Sequence, residues 1–204
     1  MPAISQEKLD ARKETIIDAA EALIAETGLS SVSARTVAKA AGCSPSLIYL
    51  HFSDFDDVIL RANSRFIDKL DAALAESSIP SASVTDRYVA LALTYLRVGL
   101  AHRRQWAALF EHRMTDGKPL PDWHLEEHLR MFRHIAEPLR ELAPSLTEGE
   151  RNALARTIYS AVHGVVSLSI EKRLGQVPVK ELEAQIGLFV RSLVAGLGQT
   201  LRET

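Results

Sequence analysis

Residues 32–52 read VSARTVAKAAGCSPSLIYLHF, and this stretch decides the fold. Ser33 is placed to cap a short helix. Val32 before it and Val37 at the fourth helical position would form a hydrophobic staple. That helix runs to about Ala41 and stops at Gly42, a residue type that tolerates the left-handed backbone of a helix end. Ser44 stands as the cap of a second helix, with Pro45 at its first position, where a missing N–H costs nothing. Cys43 and Ile48 would staple it. A short helix, a turn of about three residues containing Gly42 and a second short helix make a helix-turn-helix over about 33–52.

The pattern extends outward on both sides. Ile16, Ala20, Leu23, Ile24 and Thr27 form the stripe of an amphipathic helix that Gly28 ends. After Phe52, Ser53 or Asp54 caps a longer helix reaching roughly to Ala75. Ser77 to Ser83, with Pro80, reads as a loop. Further helices are expected at about 84–101, 103–113, 121–143, 147–174 and 178–202, with Pro138 kinking or splitting the third of these. No stretch alternates as a strand would. Alanine and leucine number 27 each, and both favour helix. The fold class expected is all-α, with about nine helices in two domains: 1–66, a three-helix DNA-binding type of domain, and 67–204, a second helical domain.

Composition excludes several classes. Apolar residues at 47% and charged residues at 25% are the balance of a globular protein, not a disordered chain. The first fourteen residues are largely polar and charged, so no secretory signal is expected. The uncharged run between Arg156 and Glu171 is 14 residues, against about 20 for a spanning helix, so no membrane partner is expected. One cysteine, Cys43, rules out a disulfide framework and a multi-cysteine zinc site, and suits a reducing cytoplasm. No cofactor or metal is expected.

The net charge of −2 does not announce a nucleic-acid binder, so such a function must rest on a local surface. The first 65 residues hold seven basic and nine acidic side chains, yet the 27 residues between Glu26 and Asp54 contain no acid. Arg35, Lys39 and His51 lie within them. A locally positive helix-turn-helix is what phosphate neutralisation requires.

On these residues the chain resembles the DNA-binding domain of the TetR/AcrR family of bacterial transcriptional regulators. The resemblance runs over residues 8–65 through Ile17–Ala20 with Leu23, Gly28, Val32-Ser33, Val37-Ala38, Ala41-Gly42-Cys43-Ser44, Ile48-Tyr49 and His51-Phe52. It implies a double-stranded DNA operator as partner. Arg35 would contact the DNA backbone or a base edge, with Ser33 and Lys39 beside it, and Ser44, Pro45, Ser46 and Leu47 would enter the major groove. Tyr49 and His51 would donate to phosphates, with Leu50 at the groove wall. Taken alone, Tyr49 reads as a half-buried core aromatic, Phe52 as core and Cys43 as packing. Two departures stand out. Phe55, flanked by Asp54, Asp56 and Asp57, occupies a position where many relatives carry a phosphate-gripping lysine; these acids suit the helix dipole but, exposed near DNA, would repel its backbone. Leu47 replaces a small or hydroxylated residue.

Beyond residue 67 the resemblance is to TetR C-terminal domains marked by a His-Gly pair, carried by Arg104-Gln105-Trp106, Leu109-Phe110 and the run Tyr159 to Leu168. It implies a homodimer built from the last two helices and a pocket for a small-molecule effector of unknown identity. Trp106, Phe110, Met114, Trp123, Met131, Phe132, Tyr159 and His163 are the candidate lining, although any one of them taken singly reads first as core. The interface candidates are Leu154, Ile158, Val162 and Val165, then Leu182, Ile186, Phe189, Leu193 and Leu197, with Leu201 continuing the stripe. Core is the competing reading for them too. The function expected is a ligand-responsive regulator, a repressor released from its operator by a small apolar molecule. The alternatives are a helix-turn-helix regulator without an effector and, remotely, a metal-dependent enzyme using His124 and His128, whose i, i+4 spacing can bind zinc.

Overall fold

The computed structural model describes residues 6–77, 82–172 and 177–201. Residues 78–81, within the expected loop around Pro80, lie outside the described residues. Among those described there are ten α-helices, one more than expected, two short 3-10 turns and no strand. The helices are α1 (Gln6–Thr27), α2 (Ala34–Ala40), α3 (Pro45–His51), α4 (Phe55–Ser77), α5 (Val84–Ala101), α6 (Arg103–Glu111), α7 (Asp122–Met131), α8 (Arg133–Leu142), α9 (Glu148–Ile170) and α10 (Val179–Thr200).

The extra helix arises at Phe132. The sequence places the interruption of 121–143 at Pro138, but the chain breaks six residues earlier, and Pro138 sits buried inside α8. A ten-residue helix accommodates one lost backbone bond.

The chain forms two compact units. One comprises residues up to Asp68 together with His102–Leu125; the other comprises Lys69–Ala101 and the chain from Glu126 onward. The segment 102–125 therefore packs with the N-terminal helices, although its sequence position suggests the second domain.

In the first unit, Ile16, Ala20 and Ile24 of α1 meet Val37 and Ala38 of α2, Ile48 of α3, and Val58 and Ile59 of α4. Two glycines allow these short helices to turn: Gly28 and Gly42 have φ of +81° and +62°, the left-handed region. Ser33 and Thr36 form a reciprocal capping box at the start of α2. Ser44 occupies the N-cap position of α3, but its hydroxyl pairs with that of Ser46 at 2.9 Å instead of capping.

In the second unit, α10 packs along α5, and α8 packs on α9. Leu182, Ile186, Val190 and Val194, spaced by four, are the buried side of α10. Arg97 grips Glu183 through two bonds, at 2.9 and 3.1 Å, and Arg191 pairs with Asp86 at 3.0 Å. α9 is long and apolar enough to cross a membrane. Its apolar residues are divided between a side buried in this unit, through Ile158, Val162 and Val166, and an outward side.

Candidate nucleic-acid interface and effector cavity

The exposed face of α3 follows from what is buried behind it. Ile48 is fully enclosed and Phe52 is buried. A helix seated by those two must turn the intervening side chains outward. Tyr49 is 56% exposed and Leu50 74%, an expensive display of apolar surface unless something covers it. The sequence alone would have put Tyr49 in the core; the packing of Ile48 turns it out. Pro45, Ser46, Arg35 and Lys39 are also exposed, and Leu47 and His51 are half-buried. Arg35 and Lys39, one turn apart on α2, share a side. Ser33 differs from the others, because its hydroxyl is engaged in the cap of α2. Cys43 packs against the core of the unit.

The acids after α3 are each engaged. The carboxylate of Asp54 accepts from the backbone N–H of Asp57 at 2.9 Å and lies 3.4 Å from the ammonium of Lys118. Asp57 pairs with Arg61 at 2.8 Å. Asp56, read from sequence as an exposed charge near DNA, is instead buried; it accepts from the backbone N–H of Thr115 at 2.8 Å and lies 3.5 Å from Nε2 of His112. Burial holds His112 below the usual histidine range, with Asp56 opposing in part.

The second unit contains a cavity of about 50 Å³. Tyr88, Leu91, Ala92 and Tyr95 of α5 form one wall; Ile158, Tyr159 and Val162 of α9 form another; Met131, Phe132 and His134 cover it at the break between α7 and α8. Polar groups on this lining are satisfied within the protein. Tyr88 donates to the carbonyl of Ile135 at 2.7 Å, and His134 meets Asp71 at 2.7 Å. The Tyr95 hydroxyl lies 2.7 Å from Nδ1 of His163 and 3.0 Å from the Tyr159 hydroxyl. Tyr159 and His163 stack, and Phe132 meets Tyr159 edge-on. Burial pushes the phenols of Tyr95 and Tyr159 up and His163 down, so this cluster is uncharged at neutral pH.

Of the lining expected from sequence, Met131, Phe132 and Tyr159 are at this cavity, and His163 adjoins it through Tyr95. Trp106, Phe110, Met114 and Trp123 are not. They belong to the first unit, where Trp106 is fully buried and packs on Phe110, and Trp123 lies 5.2 Å beneath the guanidinium of Arg61. Large aromatic residues drew attention, while Ala92, Val190 and the α5 tyrosines were missed. Their signal was present: Tyr88, Leu91, Ala92 and Tyr95 fall on one helical face.

The interface candidates divide in the same manner. Leu182 and Ile186 are enclosed in their own unit, and Ile158 and Val162 line the cavity, so these four are core. Leu154, Val165, Leu193 and Leu197 are half-buried, and Phe189 is exposed. The outward side of the last two helices carries Ala161, Leu168 and Leu188, which is 62% exposed.

His124 is buried and lies 3.3 Å from the Ser64 hydroxyl through Nδ1. Among the described residues, no group of three or more His, Cys, Asp or Glu side chains is placed to hold a metal ion.

A helix-turn-helix on an all-helical chain, with a second helical unit that holds a small apolar cavity, is an arrangement suited to a DNA-binding regulator. Comparison with known proteins agrees. Residues 16–62 match the family described as "Bacterial regulatory proteins, tetR family", and residues 88–193 match "Tetracyclin repressor-like, C-terminal domain". No curated protein matches the sequence. Among solved structures, a Rhodococcus sp. RHA1 protein of unknown function is similar at 21% identity, with 89% of this chain and 94% of that chain covered and a TM-score of 0.69. A transcriptional regulator from Rhodococcus sp. Rha1 is similar at 23% identity over 90% and 96% of the two chains, with a TM-score of 0.65. A TetR transcriptional regulator from Rhodococcus sp. RHA1 is similar at 18% identity over 91% and 96%, with a TM-score of 0.62. The chain belongs to the TetR family of DNA-binding transcription regulators.

Proposed function

We propose that this protein is a homodimeric cytoplasmic repressor, released from its operator by a small apolar molecule that enters the cavity between α5, α8 and α9. The observation that carries this reading is the cavity with its uncharged Tyr95, Tyr159 and His163 cluster. His134 on the lining is already held by the carboxylate of Asp71, and the other lining residues are tyrosine or apolar, so the effector is neutral. The cluster can redirect one hydrogen bond to a hydroxyl or carbonyl of the ligand. At about 50 Å³ the space is far below the 300–1,000 Å³ of typical ligand sites. The effector therefore favours a conformation in which Met131 and Phe132 have moved. That difference in affinity between two conformations is the source of any coupling to DNA. DNA is read by Ser44 to Leu47, with Arg35, Lys39, Tyr49 and His51 on phosphates.

The test starts from a duplex selected from random sequence by the purified protein. Fluorescence anisotropy should show weaker binding for Arg35→Ala and Tyr49→Ala, with the magnitude of the salt slope reduced by about 1 for Arg35→Ala. Neutral 4-propylphenol should release wild-type protein from this duplex, and 4-propylbenzoate should not. Equal affinity of all three proteins would defeat the DNA assignment. Release by the carboxylate alone would defeat the neutral site. Absence of any release or melting shift across a panel of neutral aromatic compounds would favour a regulator without an effector.

A further inference from the structure

We infer that the loop between α6 and α7, residues 112–121, is a second DNA-backbone contact, made through Arg113 and Lys118. It rests on the reading of α3 as the DNA-facing helix. The argument is one of register within the first unit. The chain through α6 runs antiparallel to α4 and descends it step by step. The His102 ring lies 6.1 Å from that of Phe66, Asn63 donates to the carbonyl of Ala108 at 3.4 Å, Asp56 accepts from Thr115 at 2.8 Å, and Lys118 reaches Asp54 at 3.4 Å. The partners on α4 thus run from residue 66 down to its cap at residue 54. Only Phe52 and Ser53 separate that cap from the end of α3 at His51, itself a proposed phosphate contact. The loop ends its descent at the same corner.

What it brings there is suited to phosphate. Arg113 is exposed, and its guanidinium donates to the carbonyls of Phe110 and His112, which are neutral and leave the positive charge uncancelled. Lys118 is exposed and offsets Asp54. The loop is also held in shape, since Gly117 and Lys118 donate to the carbonyls of Met114 and Thr115, and Pro119 and Pro121 follow. A preformed loop loses little entropy on contact. It also buries Asp56, an acid that would otherwise face the phosphates. So the loop suppresses the repulsion expected from the acidic start of α4 and supplies cations in its place. Asp116 is the one acid within it. Backbone contacts of this kind raise affinity and salt dependence without reading sequence.

The experiment measures log Kd against log salt for the full-length protein on the selected duplex and on a random duplex. Arg113→Gln should lower the magnitude of the slope by about 0.9 per bound protomer, and Arg113→Gln with Lys118→Gln by about 1.8. The loss of affinity should be equal on both duplexes, with helicity and melting temperature unchanged. Arg104→Gln, at the opposite end of α6, should leave both slope and affinity at the wild-type value. An unchanged slope in the double variant, or a loss confined to the selected duplex, overturns the inference. Tyr49→Ala separates the two failures: if it weakens binding while the loop variants do not, only the loop contact is wrong; if neither does, the DNA-facing helix is misassigned.

Discussion

Ala92→Val tests whether the space beside Tyr95 is a void that a ligand can use. Ala92 is buried on α5 and lines the cavity between two tyrosines one turn away on either side. A cavity of about 50 Å³, at about 24 cal/mol per Å³, represents about 1.2 kcal/mol of lost packing. Two added carbons contribute about 1.6 kcal/mol of burial at about 0.8 kcal/mol each. Valine gives back about 0.5 kcal/mol in helix propensity relative to alanine. The two routes agree on a net gain of about 1 kcal/mol. For a chain of this length that raises Tm by about 2–4 °C. Urea unfolding should show the midpoint moving up with an unchanged m-value, since no new surface is exposed. The same variant should lose the melting shift and the DNA release caused by 4-propylphenol, because the space is filled. Ala92→Phe should overfill it and cost about 1–3 kcal/mol. A loss of stability in Ala92→Val of 1 kcal/mol or more would refute the void. A gain in stability with the phenol response intact would place the ligand elsewhere.

Two further outcomes follow. Leu188→Arg should give a fully helical monomer by sedimentation and circular dichroism, because this side chain is exposed on α10, whereas Leu182→Arg should unfold the chain, because Leu182 is enclosed; a persistent dimer in Leu188→Arg would remove that face from the interface. Melting temperature should be level from pH 8 to 7 and fall as pH drops from about 6.5 to 5, because the unfolded chain takes up protons on His163 and His112 near their ordinary value of about 6.5 while burial keeps the folded-state values lower. His163→Gln should flatten part of that fall, and an unaltered pH profile in this variant would count against a buried neutral His163.

The features legible in the sequence are those that depend on near neighbours in the chain. The cap at Ser33, the turn at Gly42, Pro45 at the start of α3 and the apolar stripe of α1 are local devices. Each acts through backbone geometry within a few residues, so each is written in the order of the chain. The same holds for the all-α class and for most helix boundaries. The N-terminal match of the TetR family spans just these residues, 16–62.

The site was less legible, because burial is a property of pairs distant in sequence. Asp56 reads as a surface acid and is covered by Thr115, 59 residues away. Trp106 and Trp123 read as pocket aromatics, yet segment 102–125 packs with the N-terminal helices, so Trp106 is core of another unit and Trp123 is half-buried there beneath Arg61. The regular stripe of α10 reads as one face, but Leu182 and Ile186 turn inward while Phe189 is exposed and Leu193 and Leu197 are half-buried. A helical repeat fixes which side chains lie on the same side; it does not say what that side meets. The sequence by itself therefore determined the helix-turn-helix, the cap at Ser33 and the class of protein. The tertiary structure alone decided which residues line the cavity, which acids are hidden and which apolar face stays exposed, because those depend on contacts that no local pattern encodes.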